Sequence, residues 1–216
     1  YYSCILFGNI GGESMYWNGP NSMMPEVINY GQSDSQQGQD NWVLNTLGGK
    51  KNGVYVEIGA GHPISANNTL ILEQKFGWSG VSLEINKEMA DLFRNTRNNP
   101  CINTDAMAFD YWAYFANNNF PKQIDYLQID IDDRPPNANL LGLIALPLAE
   151  YRFSTLTVEH GCVTDYKNSR LRDAQRIILD SFGYRLIVQG QDEDWWVDPK
   201  VVPYEKYGFM FSIRNS

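Results

Sequence analysis

Short apolar runs alternate with amphipathic stretches along most of this chain. In "SQQGQDNWVLNTLGG", Ser35 is of the helix-capping type. Trp42, Val43 and Leu47 then form one helical stripe, and Gly48 and Gly49 end it. The β-branched run "VYVEI" predicts a strand, residues 67–76 a helix, and "SGVSLEI" a second strand. A helix over 87–95 and a short strand over 101–104 lead to "IDYLQIDID", a fourth strand buried at its centre. "NLLGLIALPLAEY" then reads as a helix, "FSTLTVEH" as a fifth strand, and "SRLRDAQRIILDSFG" as a helix ended by Gly183. "YRLIVQG" and "YGFMFSIR" are the expected final strands. Strands separated by helices and short connections imply an α/β fold with a mostly parallel sheet. Residues 1–34 break the pattern: after "YYSCILFGN" they are rich in Gly, Asn, Ser and Pro and read as an arm or linker. Residues 35–216 read as one domain, which the length of 216 residues suits.

Composition narrows the partners. The formal net charge is −8 with no basic cluster, so polyphosphate backbones are repelled and no nucleic-acid partner is expected. "LLGLIALPLA" spans only about half of the ~20 apolar residues a bilayer requires, so no membrane span is expected. No basic-then-apolar leader opens the chain, and its start at Tyr1 reads as that of an excised domain. Cys4, Cys101 and Cys162 are odd in number and far apart, without a C-x-x-C pair. A disulfide framework and a zinc site are disfavoured, and a reducing, cytoplasmic setting is expected.

The chemistry starts at "VYVEIGAGHPIS". Gly59 and Gly61 directly after a strand let backbone N–H groups approach a ligand. Ile64 stands where the dinucleotide fingerprint needs its third glycine, and no Gly-Lys-Ser/Thr follows, so the NAD and P-loop patterns both fail. Glu57 ahead of the glycines suits a ligand carrying an ammonium group, such as S-adenosylmethionine. Glu84 ends the second strand, where an acid can accept both ribose hydroxyls. Asp105 and Ala106 follow the short third strand, where an adenine amino group would be met.

With these pieces in order, the chain resembles the FkbM-type S-adenosylmethionine-dependent methyltransferases. The resemblance rests on "SQQGQDNWVL", "GVYVEIGAG", "NNTLILEQKFGWSGVSLEIN", "DYLQIDID", "YRFSTLTVEH" and "EDWWVDP", which span residues 35–199. It implies a Rossmann-like class I methyltransferase fold, a seven-stranded sheet with one antiparallel strand near the edge, and methyl transfer to oxygen, commonly of a sugar or glycan. By position, Glu57, Gly59 and Gly61 would line the methionine end, Glu84 with Ile85 the ribose, and Asp105 with Ala106 the adenine. Gln36 and Asp40, in the segment that borders the site in the family, would be further cofactor contacts, though helix capping alone also accounts for them. His62-Pro63 departs from the family, which usually has Asn or Asp and then Gly there. Pro63 removes one N–H from the loop, or it pre-sets a helix entry.

A sugar hydroxyl must lose its proton to accept a methyl group, through a base or a divalent cation. Asp130, Asp132 and Asp133 end the fourth strand, and Glu159 and His160 the fifth, at the edge that faces ligands in open α/β sheets. The expected assignment is a cation, Mg²⁺ or Mn²⁺, on Asp130, Glu159 and His160, with Asp130 also bordering the cofactor. Asp132 is the expected general base and His160 its alternative. Trp195 and Trp196, in an expected loop, offer either an aromatic face to a sugar or a core anchor with a hydrophobic lid, and His62 could also reach substrate. A glycosyltransferase in the same polypeptide is a conceivable partner. Methylation of a lipid, peptide or small metabolite is one rival reading; a non-catalytic cofactor- or partner-binding domain is the other.

Overall fold

The computed structural model describes Tyr30 and residues 35–131, 137–161 and 169–203. Six helices and seven strands follow in the order α1 (Gln39–Thr46), β1 (Val54–Ile58), α2 (Leu70–Phe76), β2 (Ser79–Glu84), α3 (Lys87–Thr96), β3 (Cys101–Asn103), α4 (Tyr111–Asn117), β4 (Gln123–Ile129), α5 (Ala138–Ala145), β5 (Arg152–Glu159), α6 (Ser169–Ser181), β6 (Arg185–Gln189) and β7 (Glu193–Val197). The strands form one sheet in the order β3-β2-β1-β4-β5-β7-β6. β1 to β5 run parallel, and β7 is inserted antiparallel between β5 and β6. This is the class I methyltransferase fold, with the antiparallel strand that the resemblance implies.

Each central strand is covered on both faces, so each reads as a continuous apolar run with polar interruptions. Val56, Ile58, Leu127, Leu156, Val158 and Trp196 belong to one core cluster. Tyr55, Tyr126, Trp195 and Val197 belong to another, with Trp42 and Leu72. The chain leaves β1 toward one edge and returns to β4 on its other side. The strand order therefore reverses between β1 and β4, the point at which open α/β sheets bind ligands.

Three expectations are corrected. Trp195 and Trp196 lie in strand β7, each 3% exposed, not in a loop. Alternation sends them to opposite faces, and because both faces are covered, both are core. Trp195 packs on Trp42 with ring centroids 5.0 Å apart, and neither ring is left to stack on a sugar. Ser35 does not cap α1, whose N-cap is Gly38 at φ +83°; its hydroxyl accepts from Gly38 N and donates to Asp40. Pro63 opens no helix, since α2 begins at Leu70. The aromatic segment "YWAYFAN", to which the periodicity assigns no element, is helix α4, capped by Asp110 and packed through Phe115 on Phe120 and Tyr151. "YGFMFSIR" and all of residues 1–34 except Tyr30 lie outside the described residues. Tyr30 itself docks on the domain, edge-on to Phe76. Among the described residues no helix is long and apolar enough to cross a membrane.

Candidate active site

The glycine loop hangs from the tip of β1. Gly59 sits at φ +80°, and a Cβ there would stand 1.9 Å from the main-chain oxygen of Asp130 at the end of β4. Only glycine allows the tips of β1 and β4 to meet so closely. The Gly59 and Ala60 amides donate to Leu83 O, which ties the loop to β2 as well. Gly61, at φ +56°, is the opposite case: a Cβ there would meet nothing within 4 Å, so the space over the loop is open.

Glu84 closes one side of that space. Its two carboxylate oxygens accept from Gly61 N at 2.8 Å and from Asn86 N at 2.7 Å. These bonds fix the carboxylate's orientation, and each oxygen retains a lone pair for a further donor. Next to it Ile85 is 68% exposed, an apolar side chain beside a fixed acid. Across β3, Asp105 accepts from Met107 N, and Ala106 is 9% exposed. Glu84, Ile85, Asp105 and Ala106 thus stand at the tips of β2 and β3, as the sequence implies.

Glu57 is placed differently from its expected role. It is 1% exposed and lies behind the loop, not facing a ligand. Its oxygens accept from Ser82 Oγ at 2.6 Å, Thr69 Oγ1 at 3.1 Å and Asn67 Nδ2 at 3.2 Å, and Asn67 Nδ2 also donates to Ala60 O. A buried acid that accepts from three side chains braces the loop from below. Beside it runs a network that the sequence did not reveal. The Arg97 guanidinium pairs with Glu73 at 2.8 Å, both side chains nearly inaccessible at 0% and 4% exposure. It also donates to Pro63 O, Asn67 Oδ1 and Thr69 Oγ1. Pro63 is therefore an anchor point: its carbonyl is held from beneath while His62 Nδ1 accepts from Ile64 N and Ser65 N above. His62 closes its own turn, which leaves only Nε2 for a substrate.

At the other strand tips the expected cation site is not assembled. Among the described residues no group of three or more His, Cys, Asp or Glu is placed to hold a metal ion. The reason is alternation: Glu159 and His160 are adjacent, so they diverge. Glu159 accepts from Asn139 Nδ2 at 3.2 Å. His160 is 5% exposed and turns toward α6, its Nε2 3.7 Å from Asp194 Oδ1. That carboxylate is held by Arg176 through Nε and Nη2. Burial opposes its charge, but Arg176 and His160 keep the Asp194 carboxyl below its ordinary range. A His160 enclosed in this way is a core partner of Asp194, not a base facing solvent. Asp130 is half-buried at the tip of β4, while Asp132 and Asp133 lie outside the described residues. Gln36 is exposed ahead of α1, and Asp40 is buried in its first turn, where it accepts from Asn41 N.

A second buried acid was missed. Glu193, the first residue of β7, is 6% exposed, and burial pushes its carboxyl up to about 7. Hydrogen bonds from Trp195 and Gln39 pull the other way, while the charges of Asp130 and Asp194 add to the rise. Its sequence setting, a polar turn before two tryptophans, looks like any solvated loop acid. Glu57 is likewise pushed up to about 7 by burial, against the opposing pull of Arg97, Ser82 and Thr69.

These two acids set a pH dependence. Unfolded glutamate titrates at ~4.3. Each group therefore favours the folded state fully below that value, and the benefit is lost as pH rises through about 7. The loss is on the order of 3 kcal/mol per group. Thermal denaturation at pH 5.5, 7.0 and 8.5 should show the melting temperature falling with pH, and falling less steeply in Glu57→Gln and Glu193→Gln.

No protein-family model matches the chain, and no curated protein matches it. Solved structures resemble it in fold. A TehB-like S-adenosylmethionine-dependent methyltransferase of Corynebacterium glutamicum shares 11% identity over 78% of this chain and 90% of that one, with a TM-score of 0.46. An O-methyltransferase of Bacillus cereus, in complex with S-adenosylhomocysteine, shares 18% over 79% and 83%, with a TM-score of 0.47. The N-methyltransferase NodS of Bradyrhizobium japonicum, also with S-adenosylhomocysteine, shares 11% over 74% and 85%, with a TM-score of 0.46.

Proposed function

We propose that this chain is an S-adenosylmethionine-dependent methyltransferase of the FkbM type that methylates a carbohydrate hydroxyl. One observation carries the cofactor half of the reading; the carbohydrate half rests on the sequence resemblance. An open glycine loop sits at the reversal of strand order, and its Gly61 amide is bonded to a fixed Glu84 beside the exposed Ile85. When bound, S-adenosylmethionine supplies an electrophilic methyl group on a sulfonium. In this reading Glu84 accepts the ribose hydroxyls, Ile85 and Ala106 offer apolar surface to the adenine, and Asp105 accepts from its amino group. The methionine end lies along Gly59–Gly61, with Asp130 at its side. Glu57 and Arg97 act from behind, holding the loop that does the binding. Asp132 is the candidate base that the sequence supplies, and no step is routed through a cation.

Two measurements test this. Incubation with S-adenosylmethionine labelled in its methyl group, against a panel of hexoses, their methyl glycosides and oligosaccharides, should place label on a sugar oxygen. Calorimetry with S-adenosylhomocysteine should show affinity falling roughly 10- to 100-fold in Glu84→Ala, as expected for the loss of hydrogen bonds to a charged group. Unchanged affinity in that variant, or label in no sugar, contradicts the respective half of the proposal.

A further inference from the structure

β7 runs antiparallel to β5, so its first residue lies at the same sheet edge as the last residues of β4 and β5. The register pairs Glu193 with Glu159, and Ile129 with Val158, which sets Asp130, Glu159 and Glu193 in one row across three strand tips. Alternation turns Glu193 to the face of Trp195, while Asp194 and Trp196 turn toward α6. Two strand spacings, roughly 10 Å, separate it from Asp130, which touches the glycine loop. In the methyltransferase reading, an acceptor hydroxyl aimed at a methyl group above that loop would be brought over this row, in which Glu159 stands between Asp130 and Glu193.

The carboxylate is held for such a task. Gln39 Nε2 donates to its Oε1 at 2.9 Å, and Trp195 Nε1 donates to the same oxygen at 2.6 Å. Among the described residues no hydrogen bond reaches Oε2. Two donors on one oxygen fix the group's orientation and leave the other oxygen to take a proton. His160, the alternative suggested by the sequence, is turned to the opposite face.

Resting on the methyltransferase reading above, we infer that Glu193 is the general base that removes the proton from the acceptor hydroxyl. The hydroxyl O–H bond breaks and its proton goes to Glu193 Oε2. The oxygen forms the new O–CH₃ bond with its electron pair, and the C–S bond of the sulfonium donor breaks with its pair going to sulfur, which leaves a neutral thioether. Glu193 then returns the proton to water. Its carboxyl, raised to about 7, is matched to proton exchange near neutrality.

Glu193→Gln tests the assignment with little change of shape, since a glutamine Oε1 can still accept from Gln39 and Trp195. In the labelled methyl-transfer assay on the sugar panel, kcat should fall about 100-fold or more, the size of a general-base contribution. S-adenosylhomocysteine affinity should stay within about twofold by calorimetry. Glu193→Asp, which keeps a carboxylate, should retain more activity than Glu193→Gln and also covers the case of a misfolded glutamine variant. Wild-type-like kcat in both variants, with Asp132→Asn inactive, overturns the inference and returns the role to Asp132. A wild-type chain that binds no S-adenosylhomocysteine, or that methylates no sugar on the panel, overturns the functional reading itself and the inference with it.

Discussion

Gly59→Ala is expected to abolish S-adenosylhomocysteine binding and to lower the melting temperature by roughly 10 °C. The substitution adds one methyl group, but at the most crowded point of the sheet. At φ +80° an L-residue pays about 1–2 kcal/mol in backbone strain. The new Cβ would also stand 1.9 Å from Asp130 O, a main-chain atom that cannot swing aside. Relief requires β1 and β4 to part at their tips, an overpacking cost of about 1–3 kcal/mol. That movement breaks the ligand site even where the fold survives, because Gly59 N and Ala60 N must keep their bonds to Leu83 O for Gly61 to meet Glu84. Thermal melts and calorimetry on the same preparation measure both effects. A variant that melts and binds like the wild type would mean that the strand tips are not in contact.

Arg97→Met is expected to cost about 3–5 kcal/mol, the usual result of removing one member of a buried ion pair. Glu73 would then be a buried charge without its cation, and Pro63 O and Asn67 Oδ1 would each lose a donor. For a chain of this length the melting temperature should fall by roughly 10–15 °C. Arg97 is buried and holds the underside of the loop through Pro63 O, so affinity for S-adenosylhomocysteine should drop as well. The double variant Arg97→Met with Glu73→Leu removes both charges and should recover part of the lost stability. A loss below about 1 kcal/mol in the single variant would show that solvent reaches the pair.

Much of the scaffold was legible because strands buried on both faces announce themselves as apolar runs, as Val54–Ile58 and Gln123–Ile129 do. The glycines and Glu84 were legible for a different reason: a tight strand-end turn restricts which residues can stand there. β7 was not. Its sequence begins with two acids that look solvated, and only the sheet shows one facing Gln39 and the other Arg176. The same alternation, applied to Glu159 and His160, argues against the cation triad, but strand-end positions tempt a reader to gather every side chain at one point. The Arg97 network was beyond local reading altogether. Its members come from β1, the loop after it, α2 and the end of α3, and nothing in "RNTRNNP" marks Arg97 as buried and Arg94 as half exposed. Such contacts arise from packing between segments, which periodicity does not encode.

The proposed site would hold a sulfonium nucleotide over the glycine loop and against Glu84. Amide hydrogen exchange, with and without S-adenosylhomocysteine, tests it segment by segment. The account predicts slower exchange in residues 59–65 and 84–87 when the compound is present, with β6 unaffected. Protection confined to other segments, or an unchanged exchange pattern at saturating concentrations, would contradict it.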